Sequence, residues 1–526
     1  MEVLLLVVGL MLAAVLLVGV GDRLRLPWPA LMVLLGVMVA AVPGLPDAFD
    51  LDPELILPLF LPPLLFATAQ RTSWALFRAR WRSIALLAVA LVAVTITAVA
   101  GTALALVPGI TLTAAIALGA MVAPPDPVAV EAVAGPVRMP RRLLSVLQSE
   151  GLFNDATALV VFQTAVLATV QGSELSAAGL VLRFVLGALA AVALGILFAR
   201  AARWVIDRVA DPTGRSALTL VLPFAVYLAA EELHASGVVA VVVVALQLRS
   251  ASAVDEAADR LVQRSFWDVV ELLVTGVAFG LIGLDLRQVV DAAGPGLPVM
   301  LAHAAAVCGV VIGVRTLWMA GAWLVLRRSP DASAAPRTGR EAVVLGWCGM
   351  RGLATLALAL ALPAATVDGA FPARAELVVI ACSVLVVTLI GPGLTLPLVV
   401  RLLGVQADAD AEQAAEKELT LRARRAALTR MTQRERIDEL PEEAVTALHE
   451  RMGRLEALLR GDPPTTEERD RFEALRRSRR LAVDVQADAL AAAREEVLAA
   501  RREPGVDPEA ADRVLRRLDL RTVLLD

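Results

Sequence analysis

Cysteine and surplus charge are both scarce in this sequence, and each scarcity excludes a class of protein. The chain has three cysteines in 526 residues and a formal net charge of −4. Cys308, Cys348 and Cys382 lie in apolar runs without C-x-x-C spacing, which argues against a disulfide framework or a zinc site and favours small buried thiols. The arginines are dispersed rather than gathered on one segment, so the charge pattern does not indicate nucleic-acid binding.

Apolar residues, by contrast, are in excess. They make up 58% of the sequence, and the mean hydropathy is +0.71, whereas a soluble domain has about 45–50% apolar residues. The surplus predicts a protein embedded in lipid. The first apolar run, 3–20, follows Glu2 and precedes Arg23 and Arg25, which argues against a cleaved signal peptide and favours a first span with an outside N-terminus.

Apolar runs as long as a spanning helix recur along the first 402 residues. Such a helix requires about 20 mostly apolar residues, and the sequence predicts thirteen, of which the eighth and ninth are short enough to form one. The predicted spans are 3–20, 27–43, 53–70, 83–107, 110–134, 142–170, 176–199, 216–232, 235–248, 267–286, 297–326, 341–363 and 374–401. We therefore predict an all-α polytopic membrane protein.

The distribution of arginine predicts the orientation of these spans. Cytoplasmic loops are enriched in Lys and Arg, and here arginines cluster in every second connection, whereas the intervening connections contain only Arg287 and Arg374. The arginine-rich connections contain Arg23 and Arg25, then Arg71 to Arg82, Arg138 to Arg142, Arg200 to Arg215, Arg249 to Arg264 and Arg327 to Arg340. The pattern predicts an outside N-terminus, a cytoplasmic C-terminus and thirteen spans rather than twelve or fourteen.

From about residue 403 the composition changes to Ala, Glu, Arg and Leu with helical periodicity. Helices are predicted to begin after Pro464 and at Asp507-Pro508. We therefore divide the chain into a transmembrane domain, 1–402, and a soluble helical cytoplasmic tail, 403–526. Charged helices of this kind usually need a surface to pack on, which makes the tail a candidate for regulatory or dimer contacts.

The fifth predicted span contains a carboxylate among prolines. Ionisable side chains in the hydrocarbon region are unfavourable by about 2.5–3.5 kcal/mol on insertion scales, so they point to function. The prolines of Pro124-Pro125-Asp126-Pro127 remove backbone donors and predict an interrupted helix, and Gly346, Gly349 and Gly352 make the twelfth span its counterpart. Freed carbonyls around Pro125 are suited to small cations, as in inverted-repeat transporters. The alternative is a pair of kinks that serve helix packing alone.

The sixth predicted span contains Glu150, Asn154 and Asp155. In a continuous helix Glu150 and Asn154 share a face, whereas Asp155 lies one turn from Gly151, which leaves space for an ion or water. We predict that Asp155, Asn154 and Asp126 form the ion-binding site, with Asp155 as the oxygen ligand of a monovalent cation and Asn154 also ordering the local structure. Because burial disfavours the charged carboxylate, a proton can compete for Asp155. Two alternatives stay open: Asp155 as a satisfied packing group, and Glu150 as the ligand.

Two arginines in the predicted spans require neutralising partners, because an unpaired buried cation is strongly destabilising. Glu150 is the natural partner for Arg351 of the twelfth span, so we predict a structural salt bridge between them. Arg315 of the eleventh span has no obvious partner in sequence, and Asp126, Asp268 and Glu271 are the candidates.

Several of these segments together resemble the bacterial sodium/proton antiporters of the first monovalent cation:proton antiporter family, relatives of the animal sodium/proton exchangers. The most specific is Ser149 to Ala158, which contains the Asn154-Asp155 pair and the preceding Glu150. Two positions depart from the family pattern, namely Ala67, where many relatives have an acid, and Gly151, where many have Ser. The other matching segments are Leu61 to Phe66, Pro124 to Asp126, Gly283 to Arg287 and Gly346 to Gly352 in the membrane region, and Ala511 to Leu520 in the tail.

The resemblance implies an inverted-repeat antiporter fold, in which broken fifth and twelfth helices cross near the membrane midplane and a core domain moves against a dimerisation domain. It implies a homodimer in the plasma membrane, a proton as counter-ion, and no cofactor. In this family the Asp of the Asn-Asp pair binds the cation, and Asn at the position of Asn154 is associated with electroneutral exchange. The family's Glu-to-Arg bridge corresponds to Glu150 and Arg351.

The sequence thus predicts a Na⁺/H⁺ antiporter in which cation and proton compete at Asp155. The nearest alternative is the same mechanism for K⁺ or Li⁺. A channel-like or sensing membrane protein is less favoured, because a channel needs a continuous polar pore and the acids here gather in one cluster. A symporter for an organic anion would need more polar and cationic groups around the broken helices.

Overall fold

The computed structural model divides the chain into two compact units, 1–408 and 409–526. It describes residues 2–24, 27–41, 53–71, 84–134, 137, 139–151, 153–172, 177–209, 211–233, 235–251, 257–328, 335–367, 369–406, 492–493 and 496–497. The predicted helical tail therefore lies almost wholly outside the described residues. The fold below is that of the first unit.

The described part of the first unit is helical apart from one short β-hairpin. Its helices are α1 (Glu2–Leu24), α2 (Trp28–Ala40), α3 (Pro53–Arg71), α4 (Val92–Leu106, preceded by π-helical Leu86–Leu91), α5 (Leu112–Val122), α6 (Pro127–Ala134), α7 (Arg141–Gly151), α8 (Asn154–Gln171), α9 (Ala177–Ile206), α10 (Pro212–Glu232), α11 (Gly237–Ala251), α12 (Ala257–Ala293), α13 (Leu297–Leu326), α14 (Gly339–Trp347), α15 (Leu353–Leu360) and α16 (Arg374–Leu403). A 3₁₀ turn, Gly294–Gly296, joins α12 to α13. Strands β1 (Ala365–Thr366) and β2 (Gly369–Ala370) pair antiparallel, with Ala365 opposite Ala370.

Length and apolar composition make several of these helices suitable for crossing a membrane. Within the described residues six stretches qualify: Leu4–Gly21, Leu86–Leu106, Phe184–Ile206, Thr213–Glu232, Ser265–Leu326 and Arg374–Leu403. The fifth stretch contains most of α12 and all of α13. Three shorter helices are also apolar, namely Trp28–Ala40, Leu112–Val122 and Gly237–Arg249. Large apolar side chains such as Leu5, Leu189 and Leu317 are exposed along α1, α9 and α13. Such surfaces are unfavourable in water and suited to lipid.

Glycines allow close contact between α2 and α12. A Cβ on Gly283 of α12 would overlap the Val33 carbonyl oxygen of α2 and lie 2.8 Å from Cα of Gly36. A Cβ on Gly36 would in turn meet the Gly280 carbonyl. Small residues at a helix contact let backbones approach in a membrane, where no hydrophobic effect drives helices together.

Three of the predicted spans are divided in two. The fifth corresponds to α5 and α6, with Ala123 to Asp126 outside either helix, and the twelfth to α14 and α15, with Cys348 to Gly352 between them. The sixth corresponds to α7 and α8, because α7 ends at Gly151 and α8 begins at Asn154. This third interruption was not predicted. The eighth and ninth spans are separate helices, α10 and α11.

Candidate functional site

The interrupted helices border one cavity, together with α3. The cavity measures about 40 Å³, whereas one water molecule needs about 10–15 Å³ on the same measure, so it has room for a small cation with water. Its walls are Leu61, Leu64, Leu65 and Thr68 of α3, Pro124, Pro125, Asp126 and Val128 around the first break, Gly151 and Asp155 of the sixth span, and Gly352, Leu353 and Ala354 at the second break. Four of the predicted site residues thus meet here: Asp155, Asp126, Pro125 and Gly151.

The Asp155 carboxylate has no hydrogen-bond or ion-pair partner among the described residues. Its backbone N–H donates to Asn154 Oδ1 at 2.7 Å, but no described residue forms a hydrogen bond or ion pair with its side chain. A carboxylate has four acceptor sites, and here they border a cavity large enough to hold an ion. This arrangement disagrees with the alternative that Asp155 is a satisfied packing group.

The Asn154 side chain helps to hold the site together. Its Nδ2 donates to the Pro125 carbonyl oxygen at 2.8 Å, and its Oδ1 accepts the Asp155 N–H. The side chain therefore connects the break in the fifth span to the start of α8, as the predicted ordering role requires. Oδ1 keeps one lone pair beyond this bond, and the predicted cation contact by Asn154 stays a prediction.

Asp126 caps two helices. Its Oδ1 accepts the N–H groups of Val128 at 2.8 Å and Ala129 at 3.3 Å, which begin α6, and the Leu353 N–H at the start of α15 also donates to it. Helix N-termini carry unpaired donors and partial positive charge, which a carboxylate satisfies. A Cβ on Gly352 would overlap this carboxylate, so only glycine fits there. Asp126 borders the cavity but is largely occupied by backbone donors.

The predicted salt bridge between Glu150 and Arg351 is wrong. Glu150 instead receives two hydrogen bonds from Arg315 of α13, Nη1 to Oε1 at 2.6 Å and Nη2 to Oε2 at 3.0 Å, and both side chains are buried. None of the sequence candidates for Arg315 was its partner. Glu150 does not border the cavity, which disfavours the alternative that it is the cation ligand.

Backbone carbonyls accept the hydrogen bonds of the Arg351 guanidinium. Its Nε donates to Val122 O at 2.9 Å and its Nη2 to Ala123 O at 3.3 Å, where α5 ends, and its Nη1 donates to Gly349 O. The last carbonyls of a helix lack partners and carry partial negative charge, so they attract a cation. Arg315 Nε likewise donates a hydrogen bond to Leu345 O near the end of α14, at 3.1 Å.

Comparison with known proteins decides the family. The model of the transmembrane sodium/hydrogen exchanger family matches residues 10–402. The chain belongs to the sodium/hydrogen exchanger family. It is thus a multi-pass membrane protein among the bacterial monovalent cation:proton antiporters, which are a family of transporters.

Two relatives and one solved structure illustrate the likeness of this exchanger to known proteins. An uncharacterized Na⁺/H⁺ exchanger of Mycobacterium tuberculosis is 36% identical over 407 residues, 75% of this chain and 74% of its own. The sodium, potassium, lithium and rubidium/H⁺ antiporter of Bacillus pumilus is 33% identical over 396 residues, 71% of this chain and 57% of its own. The sodium proton antiporter MjNhaP1 of Methanocaldococcus jannaschii shares the fold, with a TM-score of 0.59 at 21% identity over 77% of this chain and 100% of its own.

Two features of the exchanger site were not predicted from the sequence. One is the pairing of Arg315 with Glu150, 165 positions apart, for which the sequence offers no spacing signal. The other is Thr68 of α3, which borders the cavity and directly follows Ala67, one of the two positions noted above as departing from the family resemblance. A polar residue next to such a departure is a signal that could have identified Thr68.

Proposed function

We propose that this exchanger moves Na⁺ against H⁺ across the plasma membrane, one for one, and that both ions compete for Asp155. The observation that carries this proposal is the Asp155 carboxylate, which borders the cavity without a partner among the described residues. Every other ionised side chain at the breaks is engaged by protein groups.

Competition for one carboxylate gives antiport. Asp155 holds either a cation or a proton, and each occupant excludes the other. If only an occupied site changes its exposure from one side of the membrane to the other, each inward passage of one ion requires the outward passage of its competitor. The half-helices at Asp126 and Gly352 are the elements we expect to stay with Asp155 during that change, since Asp126 N–H donates to Met350 O at 2.7 Å.

The charges around the site support an electroneutral exchange. Asp126 is fixed by backbone donors, and Glu150 is fixed by Arg315. One carboxylate is therefore left to change its occupant, so one monovalent cation replaces one proton and the net charge that crosses is zero. Asn154 has no ionisable group to add a second proton.

The choice of cation has a second candidate. The Bacillus pumilus relative is named for sodium, potassium, lithium and rubidium, so K⁺ or Li⁺ exchange by the same mechanism is the alternative to Na⁺. The remaining proposals concern the whole assembly: an inverted-repeat fold with its breaks near the membrane midplane, thirteen spans with the N-terminus outside and the C-terminus cytoplasmic, and a homodimer.

The test is dissipation of a proton gradient in inverted vesicles on addition of Na⁺, K⁺ or Li⁺. Native protein should dissipate the gradient, and Asp155→Asn should not, at equal amounts of protein in the membrane. Asp291→Asn is the matched control, because Asp291 is an exposed acid at the end of α12, paired with Arg287 at 3.6 Å. Retained exchange in Asp155→Asn, or equal loss in Asp291→Asn, would overturn the proposal.

A further inference from the structure

One wall of the cavity is a single face of α3. Leu61, Leu64, Leu65 and Thr68 all border it, and their spacing of three and four residues places them on one helical face. Three of them are leucines, whose side chains have no oxygen atom that could bind a cation. Thr68 is the exception, because its hydroxyl oxygen has lone pairs that can bind a cation.

The Thr68 hydroxyl has no protein partner in the described part of the chain, although the side chain is 93% buried. Threonines in these helices normally donate to the carbonyl four residues earlier, as Thr95 and Thr169 do at 2.8 Å. Thr275 and Thr355 have unpartnered hydroxyl oxygens that are fully buried, and neither residue borders the cavity. The Thr68 oxygen differs, because it is not among these fully buried oxygens, and Thr68 borders the cavity, where water or a ligand can reach it.

Asp155 and Thr68 bring side-chain oxygens to the cavity from two different helices. Asp155 contributes its carboxylate from α8, and Thr68 its hydroxyl from α3, whereas Asn154 and Asp126 are engaged by backbone groups. Small hard cations take several oxygen ligands and favour carboxylate, carbonyl, hydroxyl and water.

We propose that the Thr68 hydroxyl coordinates the transported monovalent cation together with Asp155. The proposal rests on the function proposed above and adds a second ligand to it. A neutral hydroxyl strengthens cation binding without taking up the exchanged proton. Removing it therefore changes how tightly each cation binds, and leaves the one-for-one exchange with protons intact.

The test compares Thr68→Val, which keeps the shape and removes the hydroxyl, with Thr68→Ser, which keeps the hydroxyl. Thr169→Val is the control, since Thr169 is similarly buried and its hydroxyl donates to Ala165 O. In inverted vesicles we expect Thr68→Val to raise the half-saturating Na⁺ concentration about tenfold, the factor that 1.4 kcal/mol produces, with a different ratio among Na⁺, Li⁺ and K⁺. Thr68→Ser and Thr169→Val should stay within about twofold of native protein, well below that tenfold.

Unchanged half-saturating concentrations in Thr68→Val would overturn the proposal, and so would an equal rise in Thr68→Ser. If Thr68→Val does not reach the membrane, Thr68→Ala removes the same hydroxyl and carries the same expectation. The Asp155→Asn result is separate: exchange that persists without the Asp155 carboxylate rejects the proposed function, whereas a native-like Thr68→Val rejects only the second ligand.

Discussion

Asp126 and Asp155 border the same cavity in opposite states of hydrogen bonding. Asp126 accepts backbone N–H groups at the starts of α6 and α15, whereas the Asp155 carboxylate has no partner in the described residues. A charge held by donors stabilises the fold, and a desolvated charge without donors destabilises it. The two acids therefore differ in what their removal does to stability.

We expect Asp126→Ala to lower the free energy of unfolding by about 2 kcal/mol, roughly 1 kcal/mol for each helix cap that is lost. Asp155→Ala should leave stability equal to or above that of native protein. Thermal unfolding of the detergent-purified protein measures both. Equal losses in the two variants would contradict the assignment of Asp126 as the cap and Asp155 as the free carboxylate.

The Glu150–Arg315 pair gives a second prediction at this scale. Breaking a buried pair leaves one charge unpaired and destabilises by about 3–5 kcal/mol, whereas apolar replacement of both partners is often neutral. Glu150→Leu should therefore be strongly destabilised, and the double variant Glu150→Leu with Arg315→Met should recover most of that loss. Glu150→Leu with Arg351→Met should not recover, because Arg315 stays unpaired. If the double variant with Arg351→Met recovered the lost stability instead, the result would support the Glu150–Arg351 salt bridge predicted from sequence.

These partners show where residue-level prediction from sequence ends. The scarcity of ionisable residues in the spans was sufficient to select Glu150, Asp155 and Arg351. It was insufficient to pair them, because Arg351 is satisfied by carbonyls at the end of α5 rather than by an acid. Backbone carbonyls have no sequence signature, so these hydrogen bonds are visible only in three dimensions.

At the scale of elements, the helix breaks differ in how far the sequence reveals them. Proline lacks the N–H that a helix needs, so the break between α5 and α6 follows from Pro124, Pro125 and Pro127. The break between Gly151 and Asn154 contains no proline, and the sequence gives no local reason for it. The sixth span is therefore not the continuous helix from which the positions of its side chains were predicted. Gly151 and Asp155 nevertheless lie together, as predicted, and both border the cavity.

The contact between α2 and α12 provides a prediction about packing. Gly283→Ala places a methyl group against the Val33 carbonyl, so the helices must separate, and overpacking of this kind is unfavourable by about 1–3 kcal/mol. Gly101→Ala in α4 is the control, because a Cβ there meets nothing within 4 Å. Thermal unfolding should show a loss for Gly283→Ala and none for Gly101→Ala. A native midpoint for Gly283→Ala would contradict the close approach of the two helices.

At the scale of the whole molecule, exchange of one cation for one proton moves no net charge. The rate of exchange in proteoliposomes should therefore be the same at zero potential and at an imposed potential of either sign, with the gradients of both ions held constant. A single charge moving across the full membrane would gain about 2.3 kcal/mol per 100 mV, which is large enough to detect. A rate that rises with one sign of potential would contradict electroneutral exchange.

The whole-molecule architecture was the part of the account most accessible from sequence. Runs such as 3–20 and 374–401 recur as α1 and α16, because length and apolar composition decide whether a helix suits lipid. Two further expectations, the count of thirteen spans and the orientation of the termini, stay predictions. The role of residues 403–526 also stays a prediction, because the tail lies almost wholly outside the described residues.

Competition between cation and proton at Asp155 is tested most directly by proton release from purified protein. Na⁺ added to weakly buffered protein, at a pH where the site is protonated, should release about one proton per bound cation, the stoichiometry of a single shared carboxylate. Asp155→Asn should release none, and Asp291→Asn should behave as the native protein does. Proton release that persists in Asp155→Asn, or Na⁺ binding to the native protein without proton release, would contradict the account.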